Sequence, residues 1–253
     1  MGTCWAEPLG GCSDKISREH TLTAGLFLDE SVRVKGFPWC KDECKEISVA
    51  SLTRKNLCRH HNSLLHLTDD AAIAAANIFR KEFRLGRARE AMKSRRWSIV
   101  HSEIDGSLLE RWFLKTLINV AYGREYKIGR DSENPGLPSV RLVRIAFGTT
   151  KFEPNAGLYG LGYLNQQLTL HDGFRLITLV DGERTVVGCK FEFQGYEFLL
   201  FLEENGLSRH LTFPAYENEP ERITETLYRM EGIRSVVGKH LSHVIHFRYE
   251  NQK

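Results

Sequence analysis

Five of the six cysteines in this 253-residue chain, Cys4, Cys12, Cys40, Cys44 and Cys58, lie in its first quarter, and only Cys189 lies beyond. That first stretch, to about Leu67, is broken by Gly10, Gly11, Gly25, Gly36 and Pro38. It is too short and irregular to hold a large core unaided. In a reducing compartment, clustered cysteines of this kind favour metal coordination over a disulfide framework. Cys189, standing alone, reads as a small buried hydrophobe.

A structural Zn²⁺ needs four closed ligands, commonly cysteine thiolates completed by histidine. Cys58 and His61 form a C-x2-H pair that offers two ligands from one turn. The other half is open on spacing alone. Cys4 and Cys12 require a loop through Pro8, Gly10 and Gly11 that returns to the ion, and Cys40 and Cys44 form a C-x3-C pair.

Between the cysteine pairs stands Ser17-Arg18-Glu19-His20, and Asn56-Leu57-Cys58 runs through His60 and His61 to Asn62 ahead of a helix. The order of cysteine pair, R-E-H, loop and N-L-C-x-x-H-N resembles the zinc-stapled HNH, or ββα-metal, endonucleases over about residues 1–70. The resemblance selects Cys4 and Cys12 to join Cys58 and His61 on a structural zinc. It implies His20 as the general base that activates water against a phosphodiester, a role suited to imidazole, which titrates near neutrality. Glu19 and Asn62 would hold a catalytic Mg²⁺ or Mn²⁺, and Asn56 would brace the loop and orient His20. Two departures stand out: many members have aspartate where this chain has Glu19, and the first cysteine pair is widely spaced. His60 and His66 receive no role.

Further along, Asp69 can cap a helix with Ala72, Ala76, Phe79 and Phe83 on one face, and Ser107 with Glu110 forms a capping box before Leu108, Leu109, Trp112, Phe113 and Leu117. Residues 71–130 are therefore expected to be helical. They carry a basic block from Phe79 to Trp97, in which Arg84, Arg87, Lys93, Arg95 and Arg96 are expected, with Arg18, to contact nucleic acid. With 35 Lys and Arg against 32 Asp and Glu, such a surface has to be local.

After the boundary DSENPGLP, residues 138–253 change period. RLVRIAF, FRLITLV, TVVGCKFEF, YEFLLFLE and HVIHFRYE read as strands, separated by Asp172-Gly173, Asp181-Gly182 and Gln194-Gly195. One helix is expected over Pro220 to Leu241, on the spacing of Ile223, Leu227 and Met230. His240, His243 and His246 straddle its end and should not share a side.

The expected fold is thus α+β: an N-terminal zinc-stabilised ββα-metal (HNH) module, central helices, and a C-terminal antiparallel β-rich domain with one helix. The expected activity is metal-dependent hydrolysis of DNA, with RNA open because the chemistry reads the backbone. The setting would be antiviral host defence or a mobile element. The competing expectation is a non-catalytic zinc-stabilised module that binds nucleic acid or protein. A regulatory partner or a second copy would dock through the β-rich domain. No signal peptide and no apolar run of about 20 residues is found, so a cytoplasmic protein without membrane contact is expected.

Overall fold

The computed structural model describes residues 4–93, 96–163, 173–204, 225–229, 232–236 and 240–249. Its first unit is a pair of strands and a helix. β1 (Ile16–His20) runs antiparallel to β4 (Thr53–Cys58), with Ile16 opposite Cys58 and His20 opposite Thr53. One register shift falls between Ser17 and Glu19. The second strand feeds directly into α1 (Arg59–Leu64), whose N-cap is Cys58.

Between β1 and β4 the chain makes β2 (Ser31–Lys35) and β3 (Lys45–Ser48), an antiparallel pair. These two strands extend a sheet built mostly from the far half of the chain. Its members are β6 (Lys127–Ile128), β7 (Gly157–Tyr163), β8 (Phe174–Val180), β9 (Thr185–Phe193), β10 (Tyr196–Phe201) and β11 (Glu225–Arg229). The order is β11-β7-β10-β9-β8-β2-β3, with β6 on β9. The sheet is mixed, because β2 runs parallel to β8 and β6 parallel to β9. The β9–β10 hairpin closes on Gln194 and Gly195, both at positive φ (52° and 81°), the geometry that matches the twist of paired strands. Asp181 closes the β8–β9 turn by accepting from the backbone N–H of Glu183 and Thr185, each at 3.0 Å.

Two helices carry the middle of the chain. α2 (His66–Ala91) buries Ala72, Ala76 and Phe79 of the face that the helical spacing predicts, and Ala75 beside them, whereas Phe83 is only half-buried. It begins before Asp69, which lies within the first turn rather than at the cap. α3 (Gly106–Ala121) is buried almost all round, and its N-cap is Asp105, whose carboxylate accepts from Leu108 N at 2.8 Å. The expected Ser107–Glu110 capping box is not what closes this helix. Glu110 is buried and accepts instead from the Leu158 backbone at 2.6 Å. Between the helices, inside the stretch expected to be helical, runs β5 (Ser98–Asp105).

Two further assignments are corrected. RLVRIAF lies in a helix, α4 (Val140–Ala146), capped by Ser139, which accepts from Leu142 N at 3.2 Å. Its β-branched residues suggested a strand, yet the serine cap and the burial of Leu142, Val143, Ile145 and Ala146 fit one side of a short helix. The expected helix over Pro220 to Leu241 is replaced, where described, by two strands: β11 on β7, and β12 (Gly232–Val236) on β13 (Leu241–Arg248). Leu227 sits opposite Leu161, while Ile223 and Met230 lie outside the described residues. Open strand edges supply backbone partners there, and tertiary pairing overrides the local spacing. β13 also pairs in parallel with β5, making a three-stranded sheet, and it carries His243 buried and His246 half-buried.

The core is continuous from Trp5 to Phe247. α3 packs its aromatics on the large sheet, with Trp112 5.5 Å from Phe193 and Phe113 4.7 Å from Phe191 between ring centres. α2 reaches the same layer through Phe79, 4.5 Å from Tyr196. Among the described residues, no helix is long and apolar enough to cross a membrane.

Candidate metal centre and the adjoining polar cluster

The loop before β1 starts at Cys4, anchored by Trp5 N donating to the Asn56 carbonyl at 3.0 Å. A short 3-10 turn and then Gly10 and Gly11, both at positive φ (75° and 68°), reverse the chain and return Cys12 towards α1. Cys4, Cys12, Cys58 and His61 then offer ligand atoms that all lie within 4.8 Å of one another. His61 Nδ1 stands 3.4 Å from Cys4 Sγ, 3.5 Å from Cys12 Sγ and 3.2 Å from Cys58 Sγ. In a tetrahedron with Zn–S near 2.3 Å and Zn–N near 2.0 Å, the S···N edges come to about 3.5 Å. The three S···N edges therefore match a zinc tetrahedron, and this Cys₃His set could hold the ion.

The electrostatics agree with that fit. Burial pushes the Cys58 thiol up, but hydrogen bonds from the backbone N–H of His61 and Ser13, with help from the Ser13 and Cys4 side chains, overcome it and bring the thiol down to about 6. Burial of the Cys12 sulfur, reinforced by the neighbouring Cys4 and Cys58, drives that thiol up to about 12. Cys4 is also raised, chiefly by burial. One thiolate is easy and three are not, unless a dication sits among them. Cys40 is buried elsewhere, its sulfur towards the Val34 carbonyl at 3.8 Å, and Cys44 is exposed. Neither joins the cluster.

A second polar cluster lies at the open side of the same unit. Glu19, buried on β1, is ion-paired with Lys115 of α3, and the Asn62 side chain of α1 lies near enough to pull its carboxyl down. Lys115 Nζ also holds both oxygens of Asp69, at 2.8 and 2.9 Å. Thr23 donates to Asp69 Oδ1 at 2.5 Å and accepts from Trp112 Nε1 at 2.9 Å. Burial raises the Glu19 carboxyl above its ordinary range, with Lys115 and Asn62 pulling it down and the charge of Asp69 pushing the same way as burial. His20 follows on the strand, half-buried, with Nδ1 buried and without a hydrogen-bond partner among the described residues.

Sequence reasoning missed Lys115 and the second role of Asp69. A signal was present: a lysine in the midst of Trp112, Phe113, Leu114, Leu117 and Ile118 is a charge on an otherwise apolar helix, and such a charge requires partners. Asn56 has a partner that the sequence did not announce. Its Nδ2 donates to Asn119 Oδ1 at 2.9 Å, and that same oxygen accepts from Trp5 Nε1 at 3.0 Å. Asn56 thereby ties β4 and the zinc loop to α3.

The expected Mg²⁺ or Mn²⁺ does not fit Glu19 and Asn62 as they stand. A hard dication needs several oxygen ligands with uncompensated charge. Here the only carboxylate on that pair is already neutralised by an ammonium group.

The basic residues divide. Arg18, Arg84, Arg87, Lys93 and Arg96 are exposed, and Arg95 lies outside the described residues. Arg80 and Arg89 are buried on backbone carbonyls, of Leu26 and Arg96 respectively. Arg84 stands about 22 Å further along α2 than Asp69, at about 1.5 Å of rise per residue. Nearer the strand end, a cavity of about 400 Å³ is lined by Thr21, Phe37, Trp39, Thr53, Arg54 and Arg124 among others, with no carboxylate. Trp39 is 45 % exposed and stacks on Phe37.

No known family model matches the chain, and no curated protein or solved structure does either.

Proposed function

We propose that the chain is a zinc-stapled phosphodiesterase of the HNH type that cuts nucleic acid, with His20 as the general base. The observation that carries this reading is one strand–strand–helix unit with Glu19 and His20 adjacent on its first strand, Asn62 on its helix and the Cys₃His set at its other end. The zinc has no open position in such a set and serves only to hold the loop. His20 takes the proton from a water that attacks phosphorus, as the P–O bond to the leaving 3′-oxygen breaks. Exposed Arg18, two residues earlier, offers a planar cation to a phosphate. The acid-free cavity with Trp39 and Arg124 beside the strand end supplies an aromatic face and a positive charge for a nucleotide of the same strand. DNA is the first substrate to test, and RNA the second. A divalent ion is left out of these steps because Lys115 compensates Glu19.

The test is plasmid cleavage by the zinc-loaded chain, with and without added Mg²⁺ or Mn²⁺, beside His20→Ala. Wild type should nick or cut, while the variant retains about one zinc per chain and loses cleavage. Equal cleavage by both removes His20 from the mechanism.

A second reading is favoured by the Lys115–Glu19 pair itself, which suits a non-catalytic zinc-stabilised module that docks nucleic acid through Arg84 and Arg87. It predicts salt-sensitive binding with no cleavage on either DNA or RNA.

A further inference from the structure

The polar cluster beside the metal centre contains its own cation. Lys115 is 2 % exposed, and its three N–H donors meet three carboxylate oxygens, one from Glu19 and two from Asp69. The donors are saturated, so the ammonium is held in one place. Asp69 is fixed in turn by Thr23, and Thr23 by Trp112 one helical turn before Lys115. Ion pairs and hydrogen bonds thus join α3 to α2 and β1, and Lys115 is their common link.

We propose that Lys115 is the resident cation of this site, a positioning residue that holds Glu19 and competes with any divalent ion for it. The inference deepens the nuclease reading, since Glu19 is the carboxylate which that reading places beside His20. Two carboxylates and one ammonium leave the trio at about one net negative charge, compensated further by the hydrogen bond from Thr23. A dication on Glu19 and Asn62 would share a carboxylate with the ammonium, and like charges at contact distance in a buried site repel strongly. The ion and Lys115 are therefore alternative partners. With Lys115 removed, Glu19, Asp69 and Asn62 become three oxygen donors around one space, a set that a hard dication accepts.

The experiment measures Mn²⁺ affinity by electron paramagnetic resonance on the full-length, zinc-loaded chain, in wild type, Lys115→Met, Lys115→Arg and Glu19→Gln. Lys115→Met should bind Mn²⁺ about tenfold tighter than wild type or more, while Lys115→Arg stays as weak as wild type. Equal affinity in wild type and a folded Lys115→Met overturns the proposal. Should Lys115→Met fail to fold, the comparison of wild type with Glu19→Gln decides: equal, weak binding supports competition, and a loss of Mn²⁺ on Glu19→Gln refutes it. The readout is ion affinity and not cleavage. A chain that leaves plasmid intact yet gains Mn²⁺ on Lys115→Met refutes the nuclease reading and leaves this inference standing.

Discussion

Two neighbouring regions of the molecule hold buried negative charge by opposite means. At the Cys₃His set, Cys4 and Cys12 are pushed up and only Cys58 is brought down, so the cluster needs a cation from outside before its donors can all bind in their charged form. At the Glu19–Asp69 pair the cation is Lys115, delivered by the fold itself. Were the first region to take an ion, its folding would be coupled to that ion's concentration. The second is complete when α3 docks, since a helix packed all round can carry its own charge inward.

The largest effect should come from breaking the first arrangement. Cys58→Ser removes the one thiol held near neutrality, which is also the N-cap of α1, and structural zinc contributes apparent binding free energies of about 10–16 kcal/mol in small zinc domains. The expected outcome is loss of bound zinc, measured by elemental analysis, and a lowered, less cooperative thermal transition. Wild type stripped by chelator should behave alike. A variant that keeps its zinc and its melting temperature would show that the four donors do not act together.

Next comes Lys115→Ala. It leaves buried Glu19 facing half-buried Asp69 without their ammonium, and removing one partner of a buried pair typically costs about 3–5 kcal/mol. Urea unfolding of the zinc-loaded chain measures this. A loss under about 1 kcal/mol, the range of exposed pairs, would mean that water rather than Lys115 compensates the cluster.

The comparison also explains what could be read in advance. Half of the Cys₃His set was legible because it is local: Cys58 and His61 share a turn, whereas Cys4 and Cys12 were open on spacing and were selected only by the resemblance to the HNH order of elements. Lys115 was not, since its partners Asp69 and Glu19 lie on other elements, 46 residues away in the nearer case, and nothing near it in the chain announces them. The strands FRLITLV and TVVGCKFEF followed from their β-branched and aromatic residues between turn dipeptides, as did the Gln194-Gly195 hairpin. RLVRIAF misled because a short apolar run has no period of its own, and the segment from Pro220 because three apolar residues at helical spacing are a weak signal beside open strand edges. Ser139 decided the first as a cap, and the open edges of β7 and β13 decided the second.

The smallest effect, and the finest probe, is Glu19→Gln. The amide keeps an oxygen for Asn62, and Asp69 still grips Lys115 with both of its oxygens, so the net change at neutral pH should be within about 1 kcal/mol. Its pH dependence carries the information. Burial raises the Glu19 carboxyl in the folded chain above its unfolded value, so the folded state binds the proton more tightly. Stability from this group is therefore full below the unfolded value of about 4.3 and is lost as pH rises through the raised folded value. Glutamine does not titrate. Urea midpoints of the two zinc-loaded proteins should then diverge, with Glu19→Gln gaining on wild type as pH rises from about 4 towards 7. Because both carry the same Cys₃His set, the pH sensitivity of zinc binding cancels in the difference. Parallel curves would mean that Lys115 compensates Glu19 in full, and that the built-in cation matches a metal ion in holding its anion charged.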